Sequence, residues 1–275
     1  MTAFKSIRGL FWKTLLASPG LRRRLAYQLR HVYPVDLDAR VPFDCELSIP
    51  LFDAEVGSSF TEIFLNHEYD ALLETIPMPV RWIDLGSYAG FFSLWLEWKR
   101  RAGGHKTPSE ALLVDANTAM REMNERLIAI NNLAPRWQFR CAAIAGGTGS
   151  CEYVQRGYMG SSLHAHDSGP GTTVTVSILT RDEILRLMPR PFDLIKVDIE
   201  GAEYDLLTHH QSVIRAARHL CIEWHSWHAG GGGEAQIREL AEGLGFRFIA
   251  ELQPARRTNS GHETGVFLLA NQSSA

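Results

Sequence analysis

Between residues 80 and 270, short apolar runs alternate with stretches whose apolar positions recur every three or four residues. Short runs rich in β-branched residues read as buried strands, and the three-to-four spacing reads as helix. The pattern predicts strands at 80–84, 111–115, 137–144, 174–176, 220–225, 246–251 and 265–270, and one in the apolar run that opens the 191–207 stretch. It predicts helices at 91–101, 118–131, 180–187, from 201 onward and at 234–243. Thr180 followed by Glu183 is a capping-box pattern, and Gly103-Gly104 and Gly243 stop their helices. Repeated strand–helix units imply an α/β, Rossmann-like doubly wound sheet, mostly parallel, with helices on both faces. Right-handed crossovers then restrict its topology, and the last two strands are expected antiparallel to each other or to the sheet.

Upstream the pattern weakens. Residues 41–52 contain Pro42 and Pro50, which suits only edge strands, and 58–75 read as one helix. Pro77 and Pro79 then punctuate the chain, so the expected boundary separates a helical N-terminal extension (1–79) from the α/β domain (80–275). Residues 146–172, rich in Gly, Ser and His, are the longest stretch without a periodic pattern.

The chain has 275 residues and a net charge of −3, too little basic excess for a general nucleic-acid binder. Residues 1–40 nevertheless carry +6. Two segments there, 4–16 and 21–29, are basic and amphipathic. They either pack their Leu/Phe faces on the main domain or lie on an anionic membrane surface. No apolar run is long enough to span a bilayer, and Lys13 interrupts the one candidate signal-peptide core. Four scattered cysteines without paired spacing indicate a reducing setting. The expectation is a cytoplasmic protein, with peripheral contact at the inner membrane face through the basic helices and homo-oligomerisation left open.

Chemistry concentrates at strand ends. Asp84-Leu85-Gly86-Ser87-Tyr88-Ala89-Gly90 lacks the third glycine of a dinucleotide fingerprint and starts with an acid, which would repel a pyrophosphate. A cationic nucleoside tolerates that acid, and S-adenosylmethionine supplies one. Asp84 can also serve simply as a helix cap. Asp115, ending the next strand, is placed to accept hydrogen bonds from two ribose hydroxyls. Farther on, Lys196, Asp198 and Glu200 alternate onto one face near a strand's carboxyl end, where ligands bind in open α/β sheets. Glu203 follows on the helix.

These stretches resemble the FkbM family of S-adenosylmethionine-dependent methyltransferases. The matching residues are the run from Trp82 through Asp84, Gly86 and Gly90 to Leu94, Ile130-Asn131-Asn132, the run from Asp193 through Lys196, Asp198, Glu200 and Gly201 to Glu203, and Glu223-Trp224-His225. The resemblance covers about residues 80–270. It implies a class I methyltransferase fold with a C-terminal antiparallel strand. It also implies O-methylation of a hydroxyl on a small-molecule or glycan acceptor, either a sugar or a natural product. The cofactor is then expected against Asp84, Gly86, Ser87, Tyr88, Gly90, Phe91, Asp115, Ala116, Ala142 and Asp198. Family members more often carry Glu-Pro at Asp115-Ala116 and Ala-Asn at Ser87-Tyr88, so Tyr88 is expected to stack on or wall off the methionine end.

An alcohol needs a base before it attacks a methyl group, and His225 is the first candidate because imidazole titrates near neutrality. Lys196 is expected to pair with a neighbouring carboxylate. The rival arrangement places Mg²⁺ on Asp198 and Glu200 with His225 or Glu223, to acidify the hydroxyl. Tyr158, Ser161 and Ser162 in the 146–172 loop, and Trp224, are the expected acceptor contacts. Competing readings are a non-catalytic nucleoside-binding protein of the same fold, transfer to a nitrogen acceptor, and an NAD-dependent oxidoreductase, which the missing third glycine disfavours.

Overall fold

The computed structural model describes residues 39–42, 45–51, 56–156, 171–227, 233–258 and 261–274. The expectations for the basic N-terminal helices and their membrane contact, and for Tyr158, Ser161 and Ser162, lie outside these residues. Among the described residues no helix is long and apolar enough to cross a membrane.

The chain opens with a small hairpin of β1 (Ala39–Pro42) and β2 (Ser48–Leu51). Next come α1 (Val56–Phe60), a π-helical turn (Thr61–Leu65) and α2 (Asp70–Thr75). The α/β succession follows as β3 (Arg81–Leu85), α3 (Phe91–Ala102), β4 (Glu110–Asp115), α4 (Met120–Ile130) and β5 (Trp137–Cys141). A second hairpin, β6 (Ser150–Gln155) with β7 (Thr172–Ser177), precedes α5 (Arg181–Leu187) and β8 (Phe192–Val197). The chain ends through α6 (Glu203–His209), α7 (Gln211–Ile214), β9 (Ala217–His225), α8 (Gly233–Gly243), β10 (Phe246–Arg257) and β11 (Glu263–Asn271).

The seven-stranded sheet runs β10-β11-β9-β8-β3-β4-β5. All pairings from β9 to β5 are parallel, while β11 is antiparallel to both its neighbours, β9 and β10. This is the expected mostly parallel doubly wound sheet, with its order reversing between β3 and β8.

Strand alternation sorts side chains onto two apolar layers. Trp82, Leu194 and Cys221 face a core shared with α3, α4 and the segment from Leu47 to Ile76. Ile83, Ile195, Ile222 and Trp224 face the other core, beneath α5, α6, α7 and α8. By the same parity Asp84, Lys196, Glu223 and His225 belong to the α3 side, so four charged side chains from three adjacent strands share one face. Polar atoms on that side are tied in. Trp82 Nε1 donates to Ser93 Oγ at 3.0 Å, and Ser93 Oγ donates to Asp84 Oδ2 at 2.7 Å.

Three elements depart from the apolar pattern. The helix expected over 58–75 is broken by the π turn and by His67 at φ 59°, which turn Glu68 toward β10, where Gln253 Nε2 donates to Glu68 Oε1 at 2.7 Å. The irregular 146–172 stretch contributes β6, paired with β7. Among its described residues only Tyr153 is buried, where it joins Ala143 and Val176 of β7 in a small core, too few apolar positions to make a visible strand signal. β10 extends to Arg257 through three register shifts, and its second half is largely exposed.

Candidate active site

The carboxyl ends of β3, β4 and β8 frame a cleft. Gly86, Tyr88, Asp115, Ala116, Asn117, Ala142, Tyr153, Asp198 and Glu200 are among its lining residues. The β3–α3 turn shapes one wall. Gly86 N and Ser87 N both donate to Val114 O, at 2.9 and 3.0 Å, which folds the turn back over β4. Gly86 sits at φ +73°, and a Cβ there would overlap the Asp198 carbonyl oxygen, so no other residue fits.

Asp115 is 8% exposed and accepts from Tyr88 N at 2.6 Å and from Asn117 N at 2.8 Å. Each carboxylate oxygen keeps a further lone pair for a ligand. Burial raises its pKa to about 6, although the two backbone donors oppose the shift.

Several expected cofactor contacts lie elsewhere. Asp84 is fully buried and is not among the lining residues; Ser93 and Lys196 hold it beneath the turn. Its pKa is raised by burial, against the pull of Lys196. Ser87 and Phe91 are buried at 5% and 1%, and Gly90 packs against Asn124 and Leu113 rather than the cleft. Asn117, Ala143, Tyr153 and Ile199 line the cleft instead. Asn117 and Ile199 adjoin motif residues and were readable as neighbours. Tyr153 is brought in only by the β6–β7 hairpin.

Lys196 lies between the turn and the mouth of the cleft. Its Nζ donates to Gly86 O at 2.9 Å and to Asp198 Oδ2 at 3.2 Å, and stands 3.7 Å from Asp84 Oδ1. The pairing expected for Lys196 is thus a bridge between two carboxylates. Burial works against its charge, yet Asp198 and Asp84 outweigh burial and raise its pKa.

At the mouth His225 is 2% exposed, and its Nδ1 lies 2.9 Å from Glu203 Oε1. Its Nε2 faces Glu200 Oε2 at 3.8 Å, and Asp198 Oδ1 and Glu223 Oε1 at 4.0 Å each. Burial lowers the His225 pKa, but Glu203 and Glu200 more than reverse this and hold it at about 10. A histidine held in its charged form is a poorer proton acceptor than the carboxylates around it. Burial raises both Glu200 and Glu223. Glu223 also receives Thr264 Oγ1 at 3.3 Å and Arg256 at 3.5 Å.

Beyond this cluster, Glu62 and Glu68 from the N-terminal segment are raised by burial and lie within electrostatic reach of Asp198. Nothing in the apolar pattern announced them. Trp224, expected against the acceptor, is 3% exposed in the opposite core, because alternation sends it away from Glu223 and His225. The aromatic ring at the mouth is Trp227, with its centroid 4.3 Å from that of His225 and its Nε1 donating to Glu200 O at 3.0 Å.

Known proteins with comparable folds include the magnesium protoporphyrin IX methyltransferase of Synechocystis PCC 6803, solved with bound SAM. It is 12% identical, covers 96% of this chain and 96% of its own, and superposes with a TM-score of 0.46. An O-methyltransferase from Bacillus cereus, in complex with SAH, is 13% identical over 75% of this chain and 80% of its own, with a TM-score of 0.43. Likeness at this level says nothing of ligand or acceptor. A search of curated proteins finds no matching relative. The family model described as the methyltransferase FkbM domain matches residues 84–248, more than half of the chain and every element that builds the cleft from Asp84 onward. The chain belongs to the FkbM methyltransferase family.

Proposed function

We propose that this chain is an S-adenosylmethionine-dependent O-methyltransferase that methylates a hydroxyl of a sugar, glycan or natural-product acceptor. The observation that carries the reading is one continuous cleft with a ribose-type acid, Asp115, on one side and carboxylates gathered around His225 on the other. The lining fits the cofactor's chemistry. Asp115 accepts from hydroxyls, Ala116, Ala142 and Ile144 offer an apolar wall to a base, and Asp198 opposes positive charge.

S-adenosylmethionine, when bound, supplies an electrophilic methyl group on a sulfonium. The chain's own work is alignment and proton removal. Lys196 fixes Asp198 at the cleft through Oδ2, while Oδ1 receives no hydrogen bond among the described residues and faces His225. Glu223, at the mouth and outside the cofactor lining, has an acceptor capacity that Thr264 and Arg256 do not exhaust, so it takes the hydroxyl proton. The side chains of Glu68 and Gln253 join across the N-terminal segment and β10, and suit a hydrogen-bonding acceptor. We place the activity in the cytoplasm, on the absence of paired cysteine spacing.

The test is a thermal-shift series with S-adenosylhomocysteine, NAD and NADP, followed by transfer of labelled methyl to a panel of sugars, polyols and amines. A shift by S-adenosylhomocysteine alone and label on hydroxyl acceptors are expected. A shift by NAD alone, or label only on nitrogen, refutes the reading.

A further inference from the structure

We propose that Asp198, Glu200 and His225 bind one divalent cation of the Mn²⁺, Co²⁺ or Zn²⁺ class, with Glu203 as the residue that orients the histidine. The site deepens the methyl-transfer reading and shares its cleft, but its test needs neither cofactor nor acceptor.

The histidine is set up as a ligand. Glu203 is fully buried, and its Oε1 is fixed by Ile199 N and Gly201 N at 3.2 Å each. The same oxygen lies 2.9 Å from His225 Nδ1. A carboxylate only accepts, so Nδ1 carries a proton, and a bound cation would replace the second ring proton and take the Nε2 lone pair at the mouth. Metal-binding histidines are held in this way, with the second ring nitrogen donating to a carboxylate. With Nδ1 turned to Glu203, Nε2 is left facing Glu200, Asp198 and Glu223 at 3.8–4.0 Å.

The carboxylates meet that lone pair. One ligand atom each from Asp198, Glu200 and His225 lie within 4.8 Å of one another. Ligands at about 2.1 Å from a common ion stand roughly 3–3.5 Å apart, so the three atoms need move together by only about 1 Å. Asp198 is divided between two tasks: Oδ2 takes Lys196, and Oδ1 faces His225. Glu200 reaches the site from a left-handed backbone at φ 54°, a conformation rare for a side-chain-bearing residue. Its carbonyl is pinned by Trp227. Strained, over-determined backbone of this kind collects at ligand sites.

The donor set selects the ion. Mg²⁺ prefers oxygen ligands and keeps several waters, whereas an imidazole beside two carboxylates suits the transition series. This departs from the Mg²⁺ expected on Asp198 and Glu200 with His225 or Glu223. An ion here would have open positions toward the mouth, where it can polarise an acceptor hydroxyl.

The test titrates the full chain with Mn²⁺ and follows the free ion by electron paramagnetic resonance. One Mn²⁺ per chain is expected, displaced by equimolar Zn²⁺ or Co²⁺ and retained in excess Mg²⁺. Glu200→Gln and Asp198→Asn should each weaken binding at least about tenfold. Glu203→Gln, which removes no ligand, should weaken it by about 10–100-fold. His225→Ala should abolish it, but that side chain is buried and its loss can unfold the chain. Glu200→Gln, with a side chain 24% exposed, therefore keeps the test decisive. No bound Mn²⁺, ready displacement by Mg²⁺, or binding indifferent to Glu200→Gln and Asp198→Asn overturns the proposal. Methyl transfer without Mn²⁺ binding overturns this site alone. Mn²⁺ binding without methyl transfer overturns only the function proposed above.

Discussion

Lys196→Met removes the cation between Asp84 and Asp198 while keeping an apolar stem of similar length. In the native chain Asp84 has no exposure, and its Oδ1 finds Lys196 Nζ at 3.7 Å but no hydrogen bond. Removing one partner of a buried pair leaves an uncompensated charge and costs about 3–5 kcal/mol. At roughly 2–4 °C per kcal/mol for a chain of this size, that is a fall of about 6–20 °C in melting temperature. The loss has a defined pH dependence. Burial already raises the Asp84 pKa, and Lys196 is the largest opposing influence, so the variant raises it further. A group whose folded pKa lies above its unfolded value contributes stability below the unfolded pKa and loses it as pH rises through the folded one. The deficit of Lys196→Met should therefore be smallest near the ordinary carboxylate pKa of 3.8 and grow toward pH 8. Urea unfolding at pH 5 and pH 8, read by tryptophan fluorescence, measures it. Asp84→Asn in the same chain should recover most of the loss at pH 8, because it removes the stranded charge. A loss below about 1 kcal/mol at pH 8, a deficit that does not change with pH, or no recovery in the double variant refutes the reasoning, since such small losses describe only a solvent-screened pair.

Three further predictions concern the cofactor wall. Asp115→Ala should lower affinity for S-adenosylhomocysteine about 10–100-fold by calorimetry, the loss of one or two charge-assisted hydrogen bonds; unchanged affinity would move the ribose elsewhere. In the native chain that affinity should be level above neutrality and fall as pH drops through about 6, because the ionised carboxyl is the better acceptor. Gly86→Ala should abolish binding and destabilise the chain by about 2 kcal/mol or more, since it combines φ +73° with overlap on the Asp198 carbonyl; a native melting curve and native affinity would disprove the close approach.

The sheet was legible because both its faces are buried. Runs such as Trp82 to Leu85 and Leu194 to Val197 are apolar except where a charge is paired, and the strand–helix rhythm carries their parallel order. The regions that escaped notice lack that signal. β6 buries only Tyr153, and the second half of β10 is largely exposed.

In the site, sequence alone located Asp115, Lys196, Asp198, Glu200, Glu223 and His225, because each stands at the carboxyl end of a recognisable strand. It could not say which way the charges point. Local alternation determines parity, but only the packed sheet shows that Asp84 turns inward to Lys196, that Trp224 turns into the opposite core, and that Glu203 holds His225 from behind. Nor could it bring in Glu68, 185 residues from Gln253 along the chain. The physical reason is that strand and helix identity follow from near-neighbour periodicity. The protonation, pairing and exposure of a buried charge instead depend on groups distant in sequence, which meet only when the strands align.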